Sequence, residues 1–467
     1  MSCCSSNYQK LDLRSLAIFR MALACLVLNQ SILLSRDFDV FYGTGGIFPS
    51  HAWRLPLLGP LIFGFLPLFA IGLLIGFFTR LSTFLCWTGL IVVQEANPQI
   101  LQGGDVLLRL LLFWSLFLPL SQKWSVDARF RKASFISLPW TTCLAEWALT
   151  FQICFVYWFA ALLKSDPLWT QNGNALFYAL NIEHFTTPLG LYMRQFSDFL
   201  RILTFGTLGL EILGPCLLFI PYRRDACRLC AVAFFIGFHL IGMQSLLRIG
   251  LFPWVCASAW LVFIPGSFWE WLGTRQEILP KGKKAKTRQE SSFHRRWTPL
   301  DYGCSALIIA AFLDIMAWNI ASVSGSISLH WMKQHDAFGN ALRLDQRWNM
   351  YAPYPRKEHG WLVIPADLAD GTQVDLFTGQ SVSWEKPKDI GAYFGDDHWR
   401  RYLSNLSDDR DPQVLQGYAD YLVHHWNQAH GQNQKIQAIA IIFVKQVTLP
   451  DLTITSPEKD VLYFHEF

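Results

Sequence analysis

Tyr157-Trp-Phe-Ala-Ala-Leu-Leu-Lys164-Ser-Asp-Pro-Leu-Trp169 closes a long apolar run with a lysine, turns through Asp166-Pro167 and ends on an aromatic. The run before it, 140–163, is long enough for a transmembrane helix, which needs about 20 apolar residues. Lys164 therefore stands at a membrane boundary, as an anchor or as a base. Which of the two it is bears on what the chain does.

Composition agrees with a membrane reading. Of 467 residues 52% are hydrophobic and only 16% charged, with 37 Phe and 20 Trp, where soluble domains carry about 25% charged residues. The polar start, residues 1–12, leads straight into an apolar helix without a small-residue cleavage pattern, so no cleavable signal is expected. Cys3 and Cys4 are acylation candidates only in a eukaryotic cytosol. All 11 cysteines lie at or before Cys304, which argues against a disulfide-stapled exterior domain. Cys227-x-x-Cys230 lacks the second pair a zinc site needs, and no metal is expected.

Apolar segments fall at 13–34, 61–79, 81–97, 105–121, 140–163, 199–220, 229–247, 249–267 and 301–323, giving an expectation of about nine spans. With the N-terminus in the cytoplasm, one side collects Arg80, then Lys123, Arg129, Arg131 and Lys132, then Arg223, Arg224 and Arg228, then the linker from Arg275 to Arg296. The other side keeps only scattered cations such as Arg36, Arg54, Arg194 and Arg248. That asymmetry is the positive-inside pattern. The linker's Lys281-Gly-Lys-Lys-Ala-Lys286 then reads as a loop touching anionic lipid, and no nucleic-acid partner is expected.

Beyond 324 the composition turns to Pro, Asp, Gly and Trp, with alternating runs at Trp361–Ile364, Gln373–Phe377 and Ala438–Val447. Ala369-Asp-Gly-Thr372 suits a hairpin turn, and 412–428 reads as helix. The expected fold is thus an α-helical multi-pass membrane bundle with a small α+β extracytoplasmic C-terminal domain. Its parts are a transmembrane domain at 1–275, a basic cytoplasmic linker at 276–298, a last transmembrane helix at 299–323 and the outer domain at 324–467. Asn405-Leu-Ser407 is a glycosylation sequon that matters only in a eukaryotic secretory membrane.

Ionisable residues at membrane depth are costly and usually paired or functional. Arg20 and Glu211 count to similar depth and are expected to form a structural ion pair. Asp105 and Arg109, four apart, share a helix face and suit a local pair capping that helix, with Gly103-Gly104 before them allowing close backbone approach. His239 and Gln244 lie on the outer half of their span, the side that also holds Lys164, Asp105 and Arg248. A lone helical histidine is ordinarily a packing residue, but one on that side suits proton traffic. Lysines at span ends ordinarily snorkel. Beside Tyr157, Trp158 and Phe159, however, an apolar setting favours the neutral amine, a competent base.

In order and spacing, Tyr157, Ala160, Lys164, Asp166 and Trp169 resemble the segment of vitamin K-dependent gamma-glutamyl carboxylases that carries the catalytic lysine. Trp124-Ser-Val-Asp127, Phe238-His239, Ile249-Gly250-x-Phe252, Arg347-Trp348-Asn349-Met350, Asp370-Gly371, His398-Trp399 and Tyr418-Ala-Asp420 are similar to further parts of that family. The shared unit is an HTTM membrane domain plus an outer domain, so the likeness covers most of the chain. The resemblance implies a lyase in which Lys164 deprotonates vitamin K hydroquinone, oxygen and carbon dioxide are co-substrates, and an exported acidic protein or peptide is carboxylated on glutamate. Carried over residue by residue, only Lys164 matches the family's role; His239, from its position, and Asp105, at the family's histidine position, are further catalytic candidates, and Tyr157, Trp158 and Trp169 are candidates to bind the quinol. Four positions depart from the family: Asp105 stands where it has a histidine, Gly103 and Gly104 where it has asparagines, and Leu163 where its lysine is doubled. A non-catalytic membrane factor that matures or exports a secreted partner is the alternative; a transporter is weaker, because no internal repeat is evident. The expected setting is the lipid bilayer of a bacterial cytoplasmic membrane.

Overall fold

The computed structural model describes residues 11–43, 45–47, 58–130, 139–273, 298–324 and 329–467. The expectations for Cys3, Cys4, Arg54, Arg131, Lys132 and the linker from Arg275 to Arg296 lie outside these residues. Nine helices carry the apolar segments: α1 (Leu13–Arg36), α2 (Leu58–Ile75), α3 (Thr79–Ala96), α4 (Gly103–Ser115), α5 (Pro139–Leu163), α6 (Ser197–Leu213), α7 (Arg224–Ile236), α8 (Phe252–Trp260) and α9 (Pro299–Val323). Among the described residues five helical stretches are long and apolar enough to cross a membrane: Leu13–Arg36, Thr142–Leu163, Ser197–Phe219, Arg224–Leu246 and Pro299–Val323. Leu61–Ile75 and Phe252–Phe263 are shorter apolar helices. The expected nine spans therefore reduce to five helices of full spanning character, because α3 is more polar and α4 has only 13 residues.

The helix boundaries follow from local chemistry. Asp12 caps α1 by accepting from the Arg14 backbone N–H, and Thr298 with Asp301 forms a capping box under α9. The short α4 is buried from Gly104 to Ser115 and forms the axis of the main core, with α1, α3, α5 and α8 around it. Gly104 permits the close approach expected of it: a Cβ there would stand 2.8 Å from the Phe252 backbone nitrogen.

The start of α1 is tied to the far end of α8. Ser15 Oγ donates to the Ile264 carbonyl at 2.7 Å, and Arg14 reaches Gly266. At the opposite end sits the C-terminal domain. Its five-stranded antiparallel sheet comprises β1 (Glu358–Val363), β2 (Pro365–Leu368), β3 (Gln373–Asp375), β4 (Ile436–Val447) and β5 (Glu458–Glu466). The long β4 is central: β2 and β1 pair in succession along one edge and β5 along the other. The hairpin expected at 369–372 joins β2 to β3, with Gly371 at φ +79°. Helices α10 (Asp397–Asp409) and α11 (Pro412–Ala429) cover the sheet. Their apolar core runs without a break into Leu34, Phe41, Phe63 and Val93 at the outer ends of α1 to α3. The domain is built onto the bundle.

Candidate active site

Tyr157 and Lys164 lie seven residues apart, so they fall on one side of α5. The helix stops at Leu163, and Asp166 then caps a short turn, Pro167–Thr170, by accepting from the Leu168 N–H. That turn folds Trp169 back so that Lys164 Nζ sits 5.1 Å from its ring centroid. Trp169 is held there by donating from Nε1 to the Tyr351 carbonyl at 2.9 Å.

Lys164 is only 4% exposed, and its Nζ donates to both Glu211 oxygens at 2.7 Å. The expected Arg20–Glu211 pair is therefore absent. α5 ends at Leu163, as expected, but at a depth that sets Lys164 opposite Glu211, fourteen residues past Ser197 in α6. Arg20 is held elsewhere, donating to the backbone carbonyls of Leu120, Leu74 and Trp124. Depth counting matched residue numbers along two helices but could not see the depth at which a third helix stopped.

Tyr157 joins His239. Its hydroxyl lies 2.8 Å from His239 Nε2, and Trp260 Nε1 donates to the same oxygen at 2.8 Å. The hydroxyl thus bridges the indole and the imidazole, and the direction of the bond to Nε2 follows the imidazole tautomer. Nδ1 is buried without a hydrogen-bond partner among the described residues. The histidine rides on a π-helical stretch, Gly237–Met243, a distortion that recurs at functional positions.

The other expected site residues are placed differently. Trp158 donates to the Ile212 carbonyl at 3.1 Å and stacks on Phe219, bracing α6 from outside. Asp105 is consumed by architecture: Oδ2 accepts from the Gln102 N–H and Oδ1 from Gln30, each at 2.9 Å. It caps α4 as expected, yet Arg109 pairs with Asp345 at 3.2 Å and with Gln94 at 2.6 Å. Asp105 shares no hydrogen bond with Lys164 or His239 among the described residues.

A cavity of about 310 Å³ lies between the bundle and the C-terminal domain; Lys164, Glu211, Tyr157 and His239 are not among its lining residues. Phe252 forms part of its wall and stands 5.9 Å, centroid to centroid, from the His239 ring, while Tyr351 links it to Trp169. Arg248, Arg347, Arg356 and Arg401 line it, with Asp397 the acidic group among them. Sequence reading missed Trp260 and Asp345 and did not assemble the arginines, which come from separate segments with no shared spacing.

A membrane bundle that buries a lysine–carboxylate pair and a tyrosine–histidine pair in its interior defines a class of helical membrane protein with a polar interior site. The family model described as HTTM domain matches residues 8–269, and the chain belongs to that family. No curated protein and no solved structure matches it.

Proposed function

We propose that this chain is a multi-pass membrane enzyme that takes a proton from a lipid-soluble hydroquinone through Lys164, in the manner of the vitamin K-dependent carboxylases it resembles. The observation that carries the reading is the buried Lys164 with both Glu211 oxygens at 2.7 Å. Proton transfer from the ammonium to Glu211 leaves a neutral amine, and the amine can then accept the hydroquinone hydroxyl proton. Tyr157 and Trp260 orient His239, whose Nδ1 is a second polar group without an internal partner. The cavity has an apolar side, Phe185, Ile249, Phe252 and Met350, suited to a quinol ring. Its arginine side suits a carboxylate on an exported acidic protein or peptide. When bound, reduced vitamin K supplies, with oxygen, the base strong enough to open a glutamyl γ-carbon to carbon dioxide.

Bacterial cytoplasmic membrane is the proposed setting, with the N-terminus inside and the C-terminal domain outside. Support comes from Arg14, Arg80, Lys123, Arg129, Arg223 and Arg224, whose elements gather at the end where α1 begins. A non-catalytic export or maturation factor is the second reading. It is favoured by the commitment of Asp105 to capping and by a Lys164 ion pair that also serves packing.

The test supplies membranes holding the full chain with vitamin K hydroquinone, oxygen and labelled carbon dioxide. Epoxide formed by the wild type and lost in Lys164→Ala supports the enzyme. Product from neither favours the factor, and label on glutamate separates carboxylation from bare epoxidation.

A further inference from the structure

We propose that Asp37, Asp396 and His398 form a site for a divalent transition-metal cation, of the Zn²⁺ or Mn²⁺ class, that joins the outer end of α1 to the start of α10. One carboxylate oxygen from each aspartate and one imidazole nitrogen lie within 4.8 Å of one another. Two metal–ligand bonds of ~2.2 Å span ~4.4 Å, so small side-chain adjustments would close the three ligands on one ion. The site is independent of the quinol reading and lies outside the groups that reading uses.

The second observation is His398. It is 3% exposed, and its side chain has no hydrogen-bond partner among the described residues. Its backbone N–H donates to Asp396 Oδ1 at 2.9 Å, which holds the imidazole beside the carboxylates. One ring nitrogen of this imidazole stands in the carboxylate cluster without a protein hydrogen bond, and a metal bond would engage it.

The carboxylates are also oriented. Asp396 Oδ1 accepts from the backbone N–H groups of His398 and Trp399, capping α10 and leaving Oδ2 outside the cap. Asp37 takes a hydrogen bond from Trp399, while its Oδ2 is buried without a partner. Such outer contacts are what hold metal ligands in place. An imidazole in the ligand set selects a transition metal over Ca²⁺ or Mg²⁺.

The position gives the ion a mechanical role. Asp37 follows directly on α1, and Phe41 packs on Trp399 at 5.1 Å and on Tyr402 at 5.9 Å. A cation there would lock the aromatic joint between bundle and outer domain. The rival occupant is a proton shared by Asp37 and Asp396.

The full chain, purified in nanodiscs without a histidine tag and stripped with chelator, is titrated with ZnCl₂ or MnCl₂. The expected result is one bound equivalent per chain, a thermal midpoint that rises with cation, and visible d–d absorption on Co²⁺ substitution. His398→Ala and Asp37→Asn should each weaken binding by more than about 100-fold, beyond what losing an outer-shell partner costs. A chelated melting curve like the wild type's shows that each variant folds. His398→Gln serves if the alanine variant does not fold. No bound equivalent in the wild type overturns the proposal, as does unchanged affinity in the folded variants. Stabilisation by Asp37→Asn without any cation response assigns the cluster to the shared proton.

Discussion

Arg20 and Lys164 are both buried cations of one bundle, satisfied by opposite means. Arg20, fully buried, donates to the Leu120, Trp124 and Leu74 carbonyls at 3.1, 2.6 and 3.4 Å. Gly76, at φ +72°, makes room: a Cβ there would stand 2.4 Å from Arg20 Nη1. Carbonyls cannot take a proton and arginine does not lose one, so this end is a staple. Lys164 faces a carboxylate instead, and a lysine–glutamate pair can move a proton between its members. Only one of the two buried charges is equipped for chemistry.

The largest expected effect separates these roles. Lys164→Ala should lower hydroquinone consumption by about 10²- to 10⁴-fold, the usual contribution of a positioned base. Arg20→Met should reduce the yield of folded protein while leaving the rate per folded molecule unchanged. Equal losses of rate in both, measured on folded, quantified protein, would erase the distinction. Next comes the pair itself. Glu211→Leu strands a buried ammonium and should cost about 3–5 kcal/mol, whereas Lys164→Met with Glu211→Leu should recover most of that. Chemical unfolding of Glu211→Leu, Lys164→Met and the double variant measures the coupling; additive costs would show that the two side chains do not depend on each other.

What the sequence made legible follows the same division. Apolar runs disclosed the helices α1 to α9, and alternation disclosed β1, β3 and β4 with the hairpin at Gly371, while β2 was not foreseen. The strand Glu458–Glu466 was missed because its pattern is diluted by exposed charges on an edge. The stretch from Tyr157 to Trp169 identified Lys164, and the Asp166-Pro167 turn explains how Trp169 returns to it. Its partner was not legible. Periodicity gives the face a residue occupies, but not the height at which a neighbouring helix ends, and α5 ends beside the fourteenth residue past the start of α6. Asp105 misled for a related reason: a carboxylate three residues after Gln102 is also what a helix start requires.

The junction with the outer domain supplies smaller tests of the contrast between buried and exposed charge. His184 lies 3.3 Å from Ser404 Oγ and stacks on Phe394. Burial, with Arg356, Arg400 and His359 nearby, pulls it from 6.5 down to about 3. The native histidine is therefore neutral, while the unfolded chain takes up a proton below ~6.5. Its stabilisation is complete above that pH and declines by up to ~1.4 kcal/mol per unit as pH falls toward 3. Melting midpoints at pH 7 and pH 5 should differ more for the wild type than for His184→Phe, which keeps the stack and cannot titrate.

Arg248 should show the smallest stability effect and the most selective functional one. It meets Asp389 at 3.0 and 3.1 Å, and that hydrogen bonding holds the Asp389 carboxyl below the usual carboxylate range. Both side chains are partly exposed, so Arg248→Ala should cost only about 0.2–1 kcal/mol. The backbone bond from Arg248 N to the Phe185 carbonyl, 2.6 Å, survives the change and keeps the loop in place. Yet Arg248 lines the cavity whose wall includes Phe252, 5.9 Å from the His239 ring. Its loss should raise KM for an acidic peptide several-fold with kcat and melting midpoint nearly unchanged. A fall in kcat with constant KM would move Arg248 into the chemistry and leave the arginine side of the cavity without its proposed role in capturing an acidic substrate.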